Sequence, residues 1–470
     1  MRRTKIVCTL GPAVDDPDRL EALVRAGLDV ARINFSHGTH ADHLRRIEAV
    51  RRAAARAGRT VAILQDLCGP KVRLGEFAAG RTVVPGEGVV LSLHPSADPD
   101  HVPLPVPEIF DVAGPGDRLL IDDGLLELVV ESAEDAFIEA RVVSGGALLP
   151  RKGVTLPGVS LPIAAVTEKD IADARFGREV GVDYVAVSFV RSAADVRSAR
   201  AAVGDDVPLL AKIEKSEAVD NLEEILEEAD GVMVARGDLG VEMPLERIAM
   251  VQKTIIRAAN RVGKPVITAT QMLDSMIQRP RPTRAEVTDI ANAILDGTDA
   301  LMLSGETAVG AWPVEAVATM ARVAEETESR IDHAKLLRET HELHGTESVT
   351  DAVADAAATI AQDQGAAAIV CGTATGGTAR SVAKFRPAAP ILAATDSPGT
   401  CRRLALIRGV FPVLVPPITD TDTLLSAAAE AARSSGLVPE GSLIVITAGT
   451  PVGEPGSTNL IKVHTLGKPL

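Results

Sequence analysis

A chain of 470 residues, 46% of them hydrophobic, has room for about three domains and a large core, and with aromatics at 2% that core must be aliphatic. A net charge of −15 and so few rings exclude a nucleic-acid stacking surface. No run of ~18 apolar residues occurs, which excludes a membrane-spanning helix.

The N-terminus, MRRTKIVCTLGP, enters a strand pattern at once, with no apolar stretch long enough for a signal peptide. Strand and helix patterns then alternate through TKIVCTL, PDRLEALVRAG, VARINF, ADHLRRIEAVRRAAARAG and TVAILQD, a βαβαβ rhythm that predicts a parallel sheet with helical crossovers. At Gly69-Pro70 the rhythm stops. Short alternating segments follow (GVVLSL, DRLLI, LLELVV, AFIEARVV), with Asp123-Gly124 as a hairpin signal, so residues 70–165 are expected to form a small inserted β domain. The α/β pattern resumes at Thr167, with strands at YVAVSF, PLLAKIE, GVMVA, PVITAT and ALML. Three strands before the insertion and five after it predict a closed (β/α)8 barrel over 1–69 and 166–340, with its active site at the C-terminal strand ends. From 341 to 470 a further α/β unit is expected, with strands at AAIVCG, PILAAT, FPVLV, SLIVITAG and IKVHTL. Cys8, Cys68, Cys371 and Cys401 show no metal-ligand spacing and read as reduced thiols of a cytoplasmic protein.

The chemistry gathers at the expected strand ends. Lys212 and Glu214 lie two apart in AKIEKSE, so a cation and a carboxylate leave one strand on the same face. Asp238 follows the next strand inside a glycine-flanked turn, Gly237-Asp238-Leu239-Gly240. Two hard carboxylates and a lysine suit a divalent metal that holds a phosphate. In ARINFSHG, Arg32, Asn34 and Ser36 alternate while Ile33 and Phe35 face the barrel wall, and an arginine fork is a natural phosphate partner. His37 falls in the loop that follows, whereas His40 and His43 read as a solvated helix start rather than a metal site. In the last unit, CGTATGGTARS follows a strand and opens a helix, presenting small hydroxyls and N–H groups suited to a phosphate. No GxxxxGK[ST] loop occurs.

Together RTKIVCTLGP, GLDVARINFSHG, RKGVTLPG, AKIEKSEAVDNLEEI, ARGDLGVEMP, ITATQMLDSM and RPTRAEVTDIANAILDGTDALMLSGETAVG resemble the pyruvate kinase family over essentially the whole chain. The resemblance implies phosphoryl transfer from phosphoenolpyruvate to ADP, with Mg2+ (or Mn2+) held by Glu214 and Asp238. It implies that Arg32 binds the phosphoryl group and that Lys212 stabilises its transfer and the resulting enolate. Gly237 and Asp238 would meet the substrate carboxylate, and Thr270 would bind substrate and position the proton delivered to the enolate carbon. Arg73 and Lys152, at the edges of the insertion, match nucleotide-phosphate positions, with His37 and Asn34 nearby and the insertion acting as a lid. Thr373, Thr375, Gly376, Gly377 and Thr378 match a sugar-phosphate effector pocket. Pro282, Glu286, Asp289 and Asn292 match too, as loop anchors and interface residues or as direct participants. A homotetramer is the implied assembly. Against this stand a phosphoenolpyruvate synthase or dikinase, whose phosphohistidine domain none of the nine histidines matches, an aldolase-like barrel, and a non-catalytic metabolite sensor.

One segment departs from the family. Where K⁺-dependent members carry DTKGPEIR, this chain reads Asp66-Leu67-Cys68-Gly69-Pro70-Lys71-Val72-Arg73. Asn34, Ser36, Asp66 and Leu67 would outline the monovalent-cation site or its remnant. Lys71 would supply in covalent form the charge that K⁺ otherwise brings, so the expectation is Mg2+ dependence without a K⁺ requirement.

Overall fold

The computed structural model describes every residue except 78, 79, 97, 99, 345–347, 453–455 and 457. Eight strands close into a barrel: β1 (Lys5–Thr9), β2 (Val30–Asn34), β3 (Ala62–Asp66), β4 (Tyr184–Val187), β5 (Leu209–Ile213), β6 (Gly231–Ala235), β7 (Val266–Ala269) and β8 (Ala300–Leu303). Every neighbouring pair is parallel, and β8 returns to β1 with Ala300 opposite Lys5. Such strands are covered by helices outside and filled by side chains inside, so they read as continuous apolar runs. Leu64, Tyr184, Leu210, Met233, Ile267 and Met302 fill the interior, joined by Ala405 and Leu406 from the C-terminal unit. Tyr184, the only tyrosine, donates its buried hydroxyl to the Arg403 carbonyl at 2.7 Å, which satisfies its polar tip.

Local signals set the crossovers. Thr39 with Asp42, and Thr167 with Asp170, form capping boxes at the starts of helices His40–Ala57 and Glu168–Glu179. Asp170 also accepts the Gly69 N–H at 3.1 Å, joining the chain's exit from the barrel to its re-entry. Gly69 has φ +66, and a Cβ there would lie 2.8 Å from the Phe189 ring, so the exit requires glycine.

Between β3 and β4 lies a separate sheet domain. Its six-stranded sheet runs Val154–Thr155, Arg118–Ile121, Leu126–Glu134, Phe137–Ser144, Gly88–Ser92, His101–Pro103, beside a two-stranded ribbon of Arg81–Val83 and Gly146–Leu148. The turn at Asp123-Gly124 does join two antiparallel strands, and Asp122, Asp123 and Gly124 all take positive φ. The C-terminal α/β domain has β9 (Ala368–Gly372), β10 (Ile391–Thr395), β11 (Val410–Leu414), β12 (Leu443–Gly449) and β13 (Thr458–Thr465) in the order β11-β10-β9-β12-β13, the last pair antiparallel. Among the described residues no helix is long and apolar enough to cross a membrane.

One sequence expectation fails here. His43 is not solvated: it is 2% exposed and stacks on Phe35 with ring centroids 3.9 Å apart. His40 and His43, three apart, are neighbours on the helix surface, and the Phe35 ring packed against that surface covers His43. His40 stays half exposed, bonds Asp173 at 2.7 Å and stacks on Phe176.

Candidate active site

At the C-terminal ends of β2, β3 and β5, four charged side chains interlock. Asn34 lies opposite Asp66 in the β2–β3 register, which brings Arg32 and Asp66 within reach of each other. The Arg32 Nε donates to Asp66 Oδ2 at 2.6 Å and its Nη1 to the Thr9 hydroxyl at 2.8 Å. The Lys212 ammonium stands 3.4 Å from the other oxygen of Asp66 and 2.7 Å from Glu214 Oε1. It also donates to the Ser188 hydroxyl at 2.7 Å, which in turn donates to the Leu67 carbonyl at 2.8 Å. The backbone N–H of Phe189, a residue at φ +56, donates to Glu214 Oε2 at 2.7 Å. As expected from their spacing, Lys212 and Glu214 leave the strand side by side.

The electrostatics follow from burial and these partners. Burial by itself would lower the Lys212 pKa, but Asp66 and Glu214 outweigh it and hold the ammonium protonated, well above its ordinary value. Burial would raise Asp66, yet Arg32 and Lys212 bring it below the usual carboxylate range. Glu214 is pushed above the usual carboxylate range, by burial first, against the pull of Lys212 and with the push of Asp238.

Asp238 sits not in an open turn but in the first turn of a short helix, Arg236–Glu242, that begins where β6 ends. Its carboxylate is exposed. The Gly237 N–H, expected to face the substrate carboxylate, donates to the Thr270 hydroxyl at 2.7 Å, and that hydroxyl donates to the Ala269 carbonyl at 2.6 Å. Thr270 has φ +70 and Gln271 φ +54, rare conformations for residues with side chains. Arg236 supports this bend, donating to the Thr270 carbonyl at 2.7 Å while Asp289 holds its other nitrogen at 2.7 Å. Glu286 is the capping carboxylate of helix Arg284–Asp296 and also accepts from Ser275. Asp289 and Glu286 thus act as anchors.

Glu214 and Asp238 fit a divalent cation: both are hard oxygen donors, one is buried, and they repel one another unless positive charge is supplied. Among the described residues no group of three or more His, Cys, Asp or Glu side chains could hold a metal, so a cation here would complete its shell with substrate oxygens and water.

Above the strand ends, a cleft of about 370 Å³ separates the barrel from the inserted sheet. Lys71, Arg73 and Lys152 line it from the insertion, and Arg191, Lys215 and Asp238 from the barrel. Lys152 pairs with Asp122 at 2.9 Å, and Arg73 donates to the Arg151 carbonyl at 3.0 Å. Lys71 is exposed. His37 and Asn34 do not line this cleft; His37 is exposed in its loop, and the Asn34 side chain accepts the Ser36 N–H at 3.0 Å.

In the C-terminal domain, Thr373, Thr375, Gly377 and Thr378 line a second cavity of about 190 Å³ at the start of helix Gly377–Lys384. Gly376, at φ +86, donates its N–H to the Thr373 hydroxyl, and the Thr378 hydroxyl meets that of Thr458 at 2.9 Å. Among the described lining residues the only charged side chain is Asp396.

Sequence reasoning did not single out Thr9, Ser188, Phe189 or Arg236. Each lies at a C-terminal strand end, which was the one signal available for them.

Comparison with known proteins agrees with this architecture. The family model "Pyruvate kinase, barrel domain" matches residues 1–317, and "Pyruvate kinase, alpha/beta domain" matches residues 351–464. The chain is similar to the pyruvate kinase of Geobacillus stearothermophilus, 48% identical over 473 residues that cover 99% of this chain and 80% of that protein. It is 45% identical to those of Sporosarcina psychrophila, over 476 residues, and Staphylococcus aureus strain MRSA252, over 474, each alignment covering 99% of this chain and 81% of the relative.

Proposed function

The chain belongs to the pyruvate kinase family, and on that premise we infer that it converts phosphoenolpyruvate, ADP and a proton to pyruvate and ATP. The observation that carries the reading is the Lys212 ammonium, fixed between Asp66 and Glu214 with Arg32 beside them at the barrel mouth.

In this reading Arg32 and Lys212 bind the phosphoryl group of phosphoenolpyruvate. The family generally uses Mg2+ and K⁺. Glu214 and Asp238 would hold Mg2+, or Mn2+ in its place, which neutralises charge on phosphoryl and enolate oxygens when bound. Lys212, desolvated and permanently charged, stabilises the enolate left when the P–O bond breaks. Thr270 would turn its hydroxyl from the Ala269 carbonyl to the enolate face and position the proton that reaches the methylene carbon. The helix start at Gly237 and Asp238 would bind the carboxylate end, the Gly237 N–H exchanging the Thr270 hydroxyl for a substrate oxygen. Arg73 and Lys152 hold the nucleotide phosphates across the cleft, and the inserted sheet closes to exclude water.

The departure at Lys71 supports a K⁺-independent enzyme. Lys71 lines the same cleft as Asp238, and Asp66 already has two cationic partners. Asn34, Ser36, Asp66 and Leu67 then outline a remnant of the monovalent site. Thr373, Thr375, Gly376, Gly377 and Thr378 would take a phosphorylated effector by neutral N–H and O–H groups. A homotetramer is the assembly this reading carries, and four unpaired thiols suit a reducing cytoplasm. A dikinase or aldolase is not favoured, and a dead sensor would have no need of the Lys212–Glu214 pair. Pyruvate formation from phosphoenolpyruvate and ADP, followed with and without Mg2+, tests the reading. No Mg2+-dependent pyruvate formation would refute it.

A further inference from the structure

A cavity of about 290 Å³ lies where helices Leu245–Arg261 and Arg284–Asp296 of the barrel meet helix His333–His344 and the C-terminal domain. Ile294, Leu295, Ile331, Leu336 and Leu343 supply its apolar lining. Its charged lining is five cations, Lys253, Arg257, Lys384, Arg386 and Arg408, against two carboxylates, Asp296 and Glu339, and most of the cations have partners. Arg386 grips Asp299 at 2.8 Å and Asn260 at 2.6 Å, Lys384 meets Asp351 at 3.1 Å, and Lys253 pairs with Asp296.

Arg408 differs. It is 4% exposed, its Nε has no hydrogen-bond partner, and no carboxylate pairs with it among the described residues. The carboxylates that act on it are already committed. Glu328 accepts from the backbone of Arg3 and Thr4 and from the Thr4 hydroxyl, and Asp299 accepts from Arg386 and the Val266 N–H. Burial pushes the Arg408 guanidinium down to about 10, with repulsion from Arg386 adding to it, so it remains charged at neutral pH. Arg257, exposed and also lining the cavity, has no ion pair among the described residues either. A desolvated guanidinium whose Nε is left without a hydrogen-bond partner and whose nearby carboxylates are bonded elsewhere is costly, and its planar fork matches the two oxygens of a carboxylate or phosphate.

We propose that this cavity binds a small amphiphilic anion, a carboxylate or phosphate monoester on a compact apolar body, with its head on Arg408 and its body against Ile294, Leu336 and Leu343. The occupant would touch the barrel, the connecting helix and the C-terminal domain at once. It would also touch helix Arg284–Asp296, whose Asp289 holds Arg236 and through it the Thr270 carbonyl.

Phenyl phosphate and benzoate are the probes, titrated calorimetrically into the full-length protein at fixed ionic strength. Saturable binding of at least one probe is expected, undiminished in Arg32→Met and Thr378→Glu, and weakened about tenfold or more in Arg408→Met. Leu343→Trp, at an exposed position, should weaken it too by narrowing the mouth, without touching the buried charge. No saturable binding of either probe, or equal affinity in wild type, Arg408→Met and Leu343→Trp, overturns the proposal. Loss of binding in Arg32→Met or Thr378→Glu overturns it as well, because the probe would then occupy the barrel mouth or the 373–378 turn.

Discussion

The backbone N–H of Gly237 donates to the hydroxyl of Thr270 at 2.7 Å, so the helix that carries Asp238 is tied to the end of β7. Thr270 is held for this contact at φ +70, with its carbonyl bonded to Arg236. Thr270→Ala removes the acceptor for Gly237 and, on the proposed function, the hydroxyl that would face the enolate. We expect kcat to fall by roughly 10²–10³, the scale of a lost proton-transfer group. The KM for phosphoenolpyruvate should change little and Thr270→Ser should recover most of the rate. Exchange of the pyruvate methyl protons, followed by NMR, should fall in parallel; full exchange in Thr270→Ala would remove Thr270 from proton delivery.

Lys212→Met deletes the charge shared by Asp66 and Glu214. If that charge matters most as the enolate forms, as proposed, kcat should drop by about 10³ or more while the KM for phosphoenolpyruvate changes far less. Steady-state kinetics decide this, and a variant with normal kcat and raised KM would reassign Lys212 to ground-state binding.

Wild type should run at nearly full rate in buffer containing only Mg2+ and a bulky organic cation. Lys71→Glu with Leu67→Thr reverses the local charge by two units, and a K⁺ activation on the order of tenfold should appear in that variant. Many-fold activation of the wild type by KCl at constant ionic strength would show that Lys71 does not replace the cation.

Thr378→Glu places a carboxylate beside Asp396 in a cavity that offers no lysine or arginine among its described lining residues. Activation by phosphorylated metabolites should vanish while the unactivated rate stays near wild type. Retention of full activation would move effector binding out of this turn.

Burial lowers the His43 pKa to about 4, with Arg46 and His40 adding to the effect and Asp173 and Asp42 opposing it. The folded protein therefore refuses a proton that the unfolded chain accepts below pH 6.5. The stability His43 contributes is present above pH 6.5 and is lost as pH falls from 6.5 towards 4. Denaturant titrations at pH 7.5 and pH 5 should show wild type losing about 1–2 kcal/mol more than His43→Leu between the two. Equal losses in both proteins would mean that His43 protonates freely in the fold.

Much of this was legible along the chain. The alternation of strand and helix patterns, broken at Gly69-Pro70 and resumed at Thr167, announced a barrel interrupted by a β domain, because backbone period and turn chemistry are local properties. The Lys212–Glu214 pair was equally readable, since the two-residue period of a strand fixes which side chains leave together. Local pattern could not say what each group would meet. Arg236 and Asp289 are 53 residues apart, and the bond between Lys212 and Ser188 spans 24. His43 looked like any polar residue in the first turn of a helix until packing placed Phe35 beneath it. Lys71 and Arg73 share a cleft with Asp238 only because the insertion folds back over the strand ends. The sequence by itself determined the elements and the chemistry that each strand end carries. Closure of the barrel decided which ends converge, and with them which charges lose their water and come to depend on one another.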